Sequence, residues 1–190
     1  MKHLHFIILF LLTPLIFFGK TQNLITQQID INNTNVEWVG KKLTGSHNGI
    51  IQIQDGFVET NKEGEILKGA FTINMNSITC TDLKGSKKNY LEEHLKNEDF
   101  FNTQEYPHAF FVIKKCTKDK MEGELTIKNI TKNISFSYEK INKSTYKATI
   151  IIDRTLFDIH YKSKSIFPIK YADNFIYDDF TIILNPIVFK

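Results

Sequence analysis

The stretch Phe71-Thr72-Ile73-Asn74-Met75-Asn76 alternates a large apolar residue with a small polar one at every step. Successive side chains of an extended chain point to opposite faces, so a period of two sets Phe71, Ile73 and Met75 on one face of a strand. The pattern recurs on both sides. Upstream, Val36 and Trp38 flank Glu37, and Ile51 and Ile53 alternate with Gln52 and Gln54 before Asp55-Gly56. Downstream, Ala109 to Ile113 is apolar on both faces, and Leu125 and Ile127 alternate with Thr126 and Lys128. Four further rows follow: Ile134, Phe136 and Tyr138; Tyr146, Ala148, Ile150 and Ile152; Phe157, Ile159 and Tyr161; Phe180, Ile182 and Leu184. These rows amount to about nine strands.

Turn-forming clusters separate the rows at Gln54-Asp55-Gly56, Asn61 to Gly64, Asp119-Lys120, Asn129 to Asn133 and Asn142 to Ser144. Such short connections suit antiparallel neighbours, whereas parallel strands need long crossovers that the chain lacks. One segment has helical spacing: in Ser86 to Asn97, Leu91 and Leu95 lie four apart with Glu92, Glu93 and Lys96 outside. The expectation is an all-β fold, a sandwich or a closed barrel, with sequential hairpins favouring an antiparallel up-and-down barrel of about eight strands and the helix packed across one end. The rows Phe71/Ile73/Met75 and Ile134/Phe136/Tyr138 then line the interior or an outer core.

At 190 residues the chain has a one-domain length, and 42% hydrophobic and 13% aromatic residues exclude a disordered or disulfide-scaffold protein. The net charge of +3 looks basic, yet Arg154 is the single arginine among 24 cationic residues, which is poor equipment for reading phosphates or bases bidentately. Nucleic acid is not an expected partner. Lys2 precedes a run from Phe6 to Phe18 broken only by Thr13 and Pro14, the layout of a secretory signal peptide and too short to span a bilayer as a helix. Residues 1–21 are expected to be removed, leaving 22–190 as one domain with a charge of +1 in the periplasm or outside the cell. Cys80 and Cys116 would reach an oxidising compartment. Their expected places on neighbouring strands put them too far along the ladder for an intramolecular bridge.

The four histidines of that domain, His47, His94, His108 and His160, lie 47, 14 and 52 residues apart. That spacing matches no zinc pattern, and no nucleophile elbow, phosphate loop or dinucleotide fingerprint occurs. Gly45-Ser46-His47-Asn48-Gly49 reads as a turn between strands, and the adjacent carboxylates Asp178 and Asp179 point to opposite faces of a strand. The expectation is no catalytic residue, no metal and no cofactor.

Six strings carry a resemblance. They are Trp38-x-Gly-Lys-Lys-Leu-Thr-Gly-Ser-His-Asn-Gly (38–49); Gly69-Ala70-Phe71-x-Ile73-x-Met75-x-Ser77-Ile78 with Asp82-Leu83; and His94-Leu95-Lys96-x-x-Asp99-Phe100-Phe101. Tyr106-Pro107-x-Ala109-x-Phe111, Gly123-Glu124-Leu125-Thr126-Ile127-Lys128-x-Ile130-Thr131-Lys132 and Asp153-Arg154-Thr155-x-Phe157-x-Ile159-x-Tyr161 follow in order. Together they resemble the YceI-like family from about residue 34 to the carboxyl end. Asn129 stands where that pattern usually has glycine, a place that asks for a left-handed backbone, and the cysteines lie outside the pattern.

The resemblance implies an exported, non-enzymatic lipocalin-like barrel whose apolar interior holds a polyisoprenoid or another long-chain amphiphile as carrier, store or sensor. The lining expected for such an interior is Trp38, Ile51, Ile53, Phe71, Ile73, Met75, Phe101, Phe110, Val112, Leu125, Ile127, Phe136 and Phe157, with His47 and Arg154 as candidates for the polar head group. A salt bridge from Arg154 to Asp153 or Asp158 is the competing reading for that residue. A filled barrel serving as an interaction or stress protein is the alternative function, and homodimer formation is left open.

Overall fold

The alternating rows become nine strands in the computed structural model, which describes residues 24–166 and 175–190. The expected signal segment 1–21 lies outside the described residues. The strands are β1 (Ile25–Gln28), β2 (Val36–Lys42), β3 (Gly45–Thr60), β4 (Ile66–Cys80), β5 (His108–Cys116), β6 (Lys120–Ile127), β7 (Ile130–Asn142), β8 (Thr145–Asp153) and β9 (Ile176–Val188). One helix, α1 (Gly85–Lys96), follows β4 and matches the expected segment to within a residue at each end.

The strands form one antiparallel sheet in the order β1-β3-β2-β9-β8-β7-β6-β5-β4, and β3 also pairs with β4. That last ladder closes the sheet. Because β1 pairs with the second half of β3 and β2 with its first half, the two share one position, and the barrel has eight. The closing ladder runs from Gly49↔Cys80 to Thr60↔Ile66 and contains three register shifts, which bend β3 and β4 around the barrel. The Gln54-Asp55-Gly56 stretch read as a turn is strand: one register shift falls between Ile53 and Asp55, and β3 continues through it with Asp55 opposite Thr72 and Gly56 opposite Phe71.

Local chemistry explains the hairpins. Lys128 and Asn129, at φ of 50° and 59°, form the two-residue β6–β7 turn, in which both central residues are left-handed. Asn129 thus occupies the conformation that its place in the pattern asks for. Gly49 is required for a close approach: a Cβ there would lie 1.9 Å from the Thr79 carbonyl oxygen and 2.6 Å from the Trp38 ring.

The two ends of the barrel differ. At one, Ile29 bridges Phe189, Gln28 and Lys190 exchange backbone hydrogen bonds of 2.9 and 2.8 Å, and Lys140 Nζ donates to the carbonyls of Glu63 and Gly64 on the β3–β4 hairpin. At the other, α1 packs on β4, where the Cys80 amide donates to Glu92 at 2.7 Å, and Leu95 and Phe100 are buried beneath it.

Two sequence expectations fail. Phe157, Ile159 and Tyr161 do not form a strand; Arg154–Phe157 is a 3₁₀ turn, and Asp158 in the left-handed region ends it. Phe157 and Ile159 are nonetheless fully buried, so the period-two row marked burial without extended structure. The polar lead-in contains β1, whose short sequence Ile-Thr-Gln-Gln carries almost no apolar signal. The cysteines are both free; Cys80 pairs across to Gly49, whereas Cys116 pairs to Met121.

Gly49→Ala should force β3 from β4 and lower stability by about 2 kcal/mol or more. Gly40→Ala, where an added Cβ meets nothing within 4 Å, should be close to neutral in the same urea denaturation series.

Candidate functional site

Inward-pointing side chains of eight strands do not fill this barrel. They leave an apolar cavity of about 230 Å³. The large side chains midway along the barrel, among them Ile51, Ile53, Phe71, Ile73, Ile182 and Leu184, border this space and so stay only partly buried. A barrel of this size can either fill itself with side chains or hold one small ligand, and this one retains room.

The polar atoms of the residues around the cavity are turned into the wall. Trp38 Nε1 donates to the Ile50 carbonyl at 3.2 Å, with its ring over Gly49. Tyr138 donates its hydroxyl to the Thr117 carbonyl at 2.8 Å, and Tyr146 donates to the Gly64 carbonyl at 3.2 Å, both at the tied end. Burial pushes the Tyr138 phenol up to about 12 and the neighbouring Cys116 thiol to about 11, so both stay neutral. Among the described residues no charge or free donor faces the cavity, so an occupant would gain there only from burying apolar surface.

Of the expected lining, Trp38, Ile51, Ile53, Phe71, Ile73, Met75, Phe101, Leu125, Ile127 and Phe136 border the cavity. Phe110 and Val112 do not. They point outward from β5, and Phe110 is 42% exposed, while Ala109, Phe111 and Ile113 point inward. This segment is apolar on both faces, so alternation could not assign its sides; the β4–β5 register, with Phe71 opposite Phe111, decides it. Phe157 is buried in the core away from the cavity wall.

Sequence reasoning passed over two kinds of wall residue. Phe111, Ile113, Tyr146 and Ile150 lie in rows already recognised and needed only the correct face. Gly40 gives no apolar signal, yet it shares the inward face with Trp38, and the space beside its Cα is empty.

Neither head-group candidate reaches into the cavity. Arg154 is 1% exposed and spends its guanidinium on the fold: Nε donates to the Tyr177 carbonyl, Nη1 to Ile159 and Nη2 to Ile176, at 3.2, 2.8 and 3.2 Å. Its carboxylate neighbour is Asp178, 3.6 Å away, rather than Asp153 or Asp158. Asp153 instead starts the 3₁₀ turn by accepting from the Thr155 amide, and Asp158 lies 3.1 Å from His160. Arg154 therefore clamps that turn to the start of β9.

His47 Nδ1 lies 2.8 Å from Asp82 Oδ2, an arrangement spanning 35 residues of sequence. Burial acts to raise the Asp82 carboxyl, but hydrogen bonds from His47, the Asn48 amide and the Cys80 thiol outweigh it and hold the group at about 2. The thiol itself is shifted up, by burial first and by Asp82 next, so it stays protonated and is no nucleophile. The cluster ties the start of β3 to the end of β4.

Comparisons with known proteins agree with this architecture. A family model described as a YceI-like domain matches residues 27–186. A UPF0312 protein of Staphylococcus aureus (strain MRSA252) is 39% identical over 82 residues, covering 40% of this chain and 44% of that protein. The match thus spans less than half the length of that relative. The crystal structure of Burkholderia cenocepacia BcnA superimposes with a TM-score of 0.61 at 19% identity, covering 84% of this chain and 99% of that one, a likeness of fold.

Two variants test these assignments. Arg154→Met should cost about 3 kcal/mol or more in urea denaturation, because it leaves three backbone carbonyls without their donor and Asp178 without its cation. The lowered Asp82 group contributes stability above its unfolded pKa of about 3.9 and loses it as pH falls through about 2. The melting-temperature advantage of the unmodified protein over Asp82→Asn should therefore be full at pH 6 and shrink between pH 4 and pH 2.

Proposed function

Because the chain belongs to the YceI-like family, matched from residue 27 to residue 186, we propose that it is a non-enzymatic, exported lipid-binding protein holding a polyisoprenoid or similar long-chain amphiphile in its barrel. The observation that carries the reading is the hollow apolar interior: eight strands of large hydrophobic side chains enclose space, and among the described residues no polar atom faces it. Each methylene moved from water into such a space gains about 0.8 kcal/mol. A chain of about ten carbons therefore supplies several kcal/mol beyond the cost of ordering and association. The filled-barrel alternative has no such support, since side chains packed across the axis would leave no void. Export to the periplasm or beyond follows from the reading of residues 1–21 as a signal peptide.

Mass spectrometry of organic extracts from purified protein should reveal a lipid at a fixed stoichiometry, and the emptied protein should take up a fluorescent fatty acid. Gly40→Phe should project a ring into the open space beside that residue, leave stability nearly unchanged and weaken probe uptake about tenfold. Protein that yields no lipid and takes up no probe would overturn the proposal.

A further inference from the structure

We infer that the barrel end formed by the β2–β3 hairpin, the 3₁₀ turn after β8 and the stretch from Tyr161 to Ile166 docks onto an anionic phospholipid bilayer. Three large apolar side chains stand out from separate loops there: Leu43 is 53% exposed, Leu156 49% and Ile166 56%. The backbone brings those loops together. The Leu43 amide donates to the Phe175 carbonyl at 3.2 Å, and Ile176 pairs both with Lys42 and with Ser163, three residues before Ile166. Arg154 reaches the carbonyls of Ile176 and Tyr177, which draws the turn carrying Leu156 to the same place.

Lysines flank each apolar tip. Lys41 and Lys42 precede Leu43, Lys162 and Lys164 precede Ile166, and Lys128 donates to the Asp158 carbonyl at 2.9 Å, two residues beyond Leu156. Besides the buried Arg154, residues 41–44, 128–129, 153–166 and 176–179 hold five lysines and four acidic side chains. Three of those acids have partners within the fold: Asp153 at Thr155, Asp158 at His160, and Asp178 at Arg154 and Ser165. Apolar tips with adjacent ammonium groups fit the boundary between head groups and acyl chains, where the tips enter and the lysines meet phosphate. A protein partner fits less well, since protein interfaces are depleted in lysine and have a continuous apolar centre.

The placement also suits the ligand, and in this respect it rests on the function proposed above. Gly40, which borders the empty space of the cavity, immediately precedes Lys41-Lys42-Leu43, while the opposite end is tied by Lys140 and by the pairing of Gln28 with Lys190. A bilayer at this end would let a hydrocarbon chain pass between membrane and barrel without crossing water.

Co-sedimentation with vesicles of equal parts phosphatidylglycerol and phosphatidylcholine, against phosphatidylcholine alone, tests the inference. The protein should sediment with the anionic vesicles and be released as salt rises. Lys41→Gln with Lys42→Gln should weaken that binding tenfold or more, at about fivefold per charge. Leu43→Ser with Leu156→Ser and Ile166→Ser should weaken it similarly, whereas Ile151→Ser, on the outer face of β8, should not. All of these variants should take up a fluorescent fatty acid normally in vesicle-free solution. Failure of the unmodified protein to sediment with anionic vesicles, or equal sedimentation of the rim variants, would overturn the docking surface. Failure to take up the probe would instead count against the ligand reading and leave the vesicle result to decide docking.

Discussion

The ladder between β3 and β4 is the contact on which the rest of this structure depends. Without it the sheet would have two free edges, and the inward rows would have no enclosed space to face. With it the circumference is set at eight strands, a width that side chains can either fill or leave hollow, and here the inward rows leave it hollow. The same ladder imposes the tightest local demand in the chain, since Gly49 lies where the Thr79 carbonyl and the Trp38 ring leave no room for a Cβ. Its three register shifts turn two long, nearly straight segments into a curved wall.

Closure along the sides leaves the ends to be managed, and the chain treats them differently. One end is tied by backbone pairing between its own terminal segments and by Lys140. The other carries α1, the His47–Asp82 cluster and the Arg154 clamp, three devices that join segments far apart in sequence. Arg154, the one buried charged residue among those described, serves one of these joints. The cavity between is bordered by apolar surface, and the indole and phenol groups around it satisfy themselves on wall carbonyls.

Much of this was legible from residue order. Rows such as Phe71/Ile73/Met75 and Ile134/Phe136/Tyr138 showed both the strand and its inward face, because a polar residue occupied every alternate place. The β5 segment shows why legibility stopped there: with both faces apolar, period two has no phase, and Phe110 and Val112 were assigned inward although they face out. Phe157 and Ile159 show a different failure, since alternating burial also arises in a 3₁₀ turn pinned by a buried arginine. His47 was noticed for its chemistry, but its partner Asp82 lies 35 residues away on another strand, and only the β3–β4 pairing joins them.

By itself, the sequence determined the architecture and the character of the interior: alternation is a local property of extended chain, and short polar turns leave antiparallel neighbours as the simple solution. Its single arginine among 24 cationic residues is likewise a matter of composition, which is indifferent to folding. Only the tertiary structure decided that the barrel is hollow, that Arg154 is a clamp rather than a head-group site, and that Gly40 borders open space. Those outcomes depend on distances between segments remote in sequence, set by sheet closure, and no local pattern encodes them.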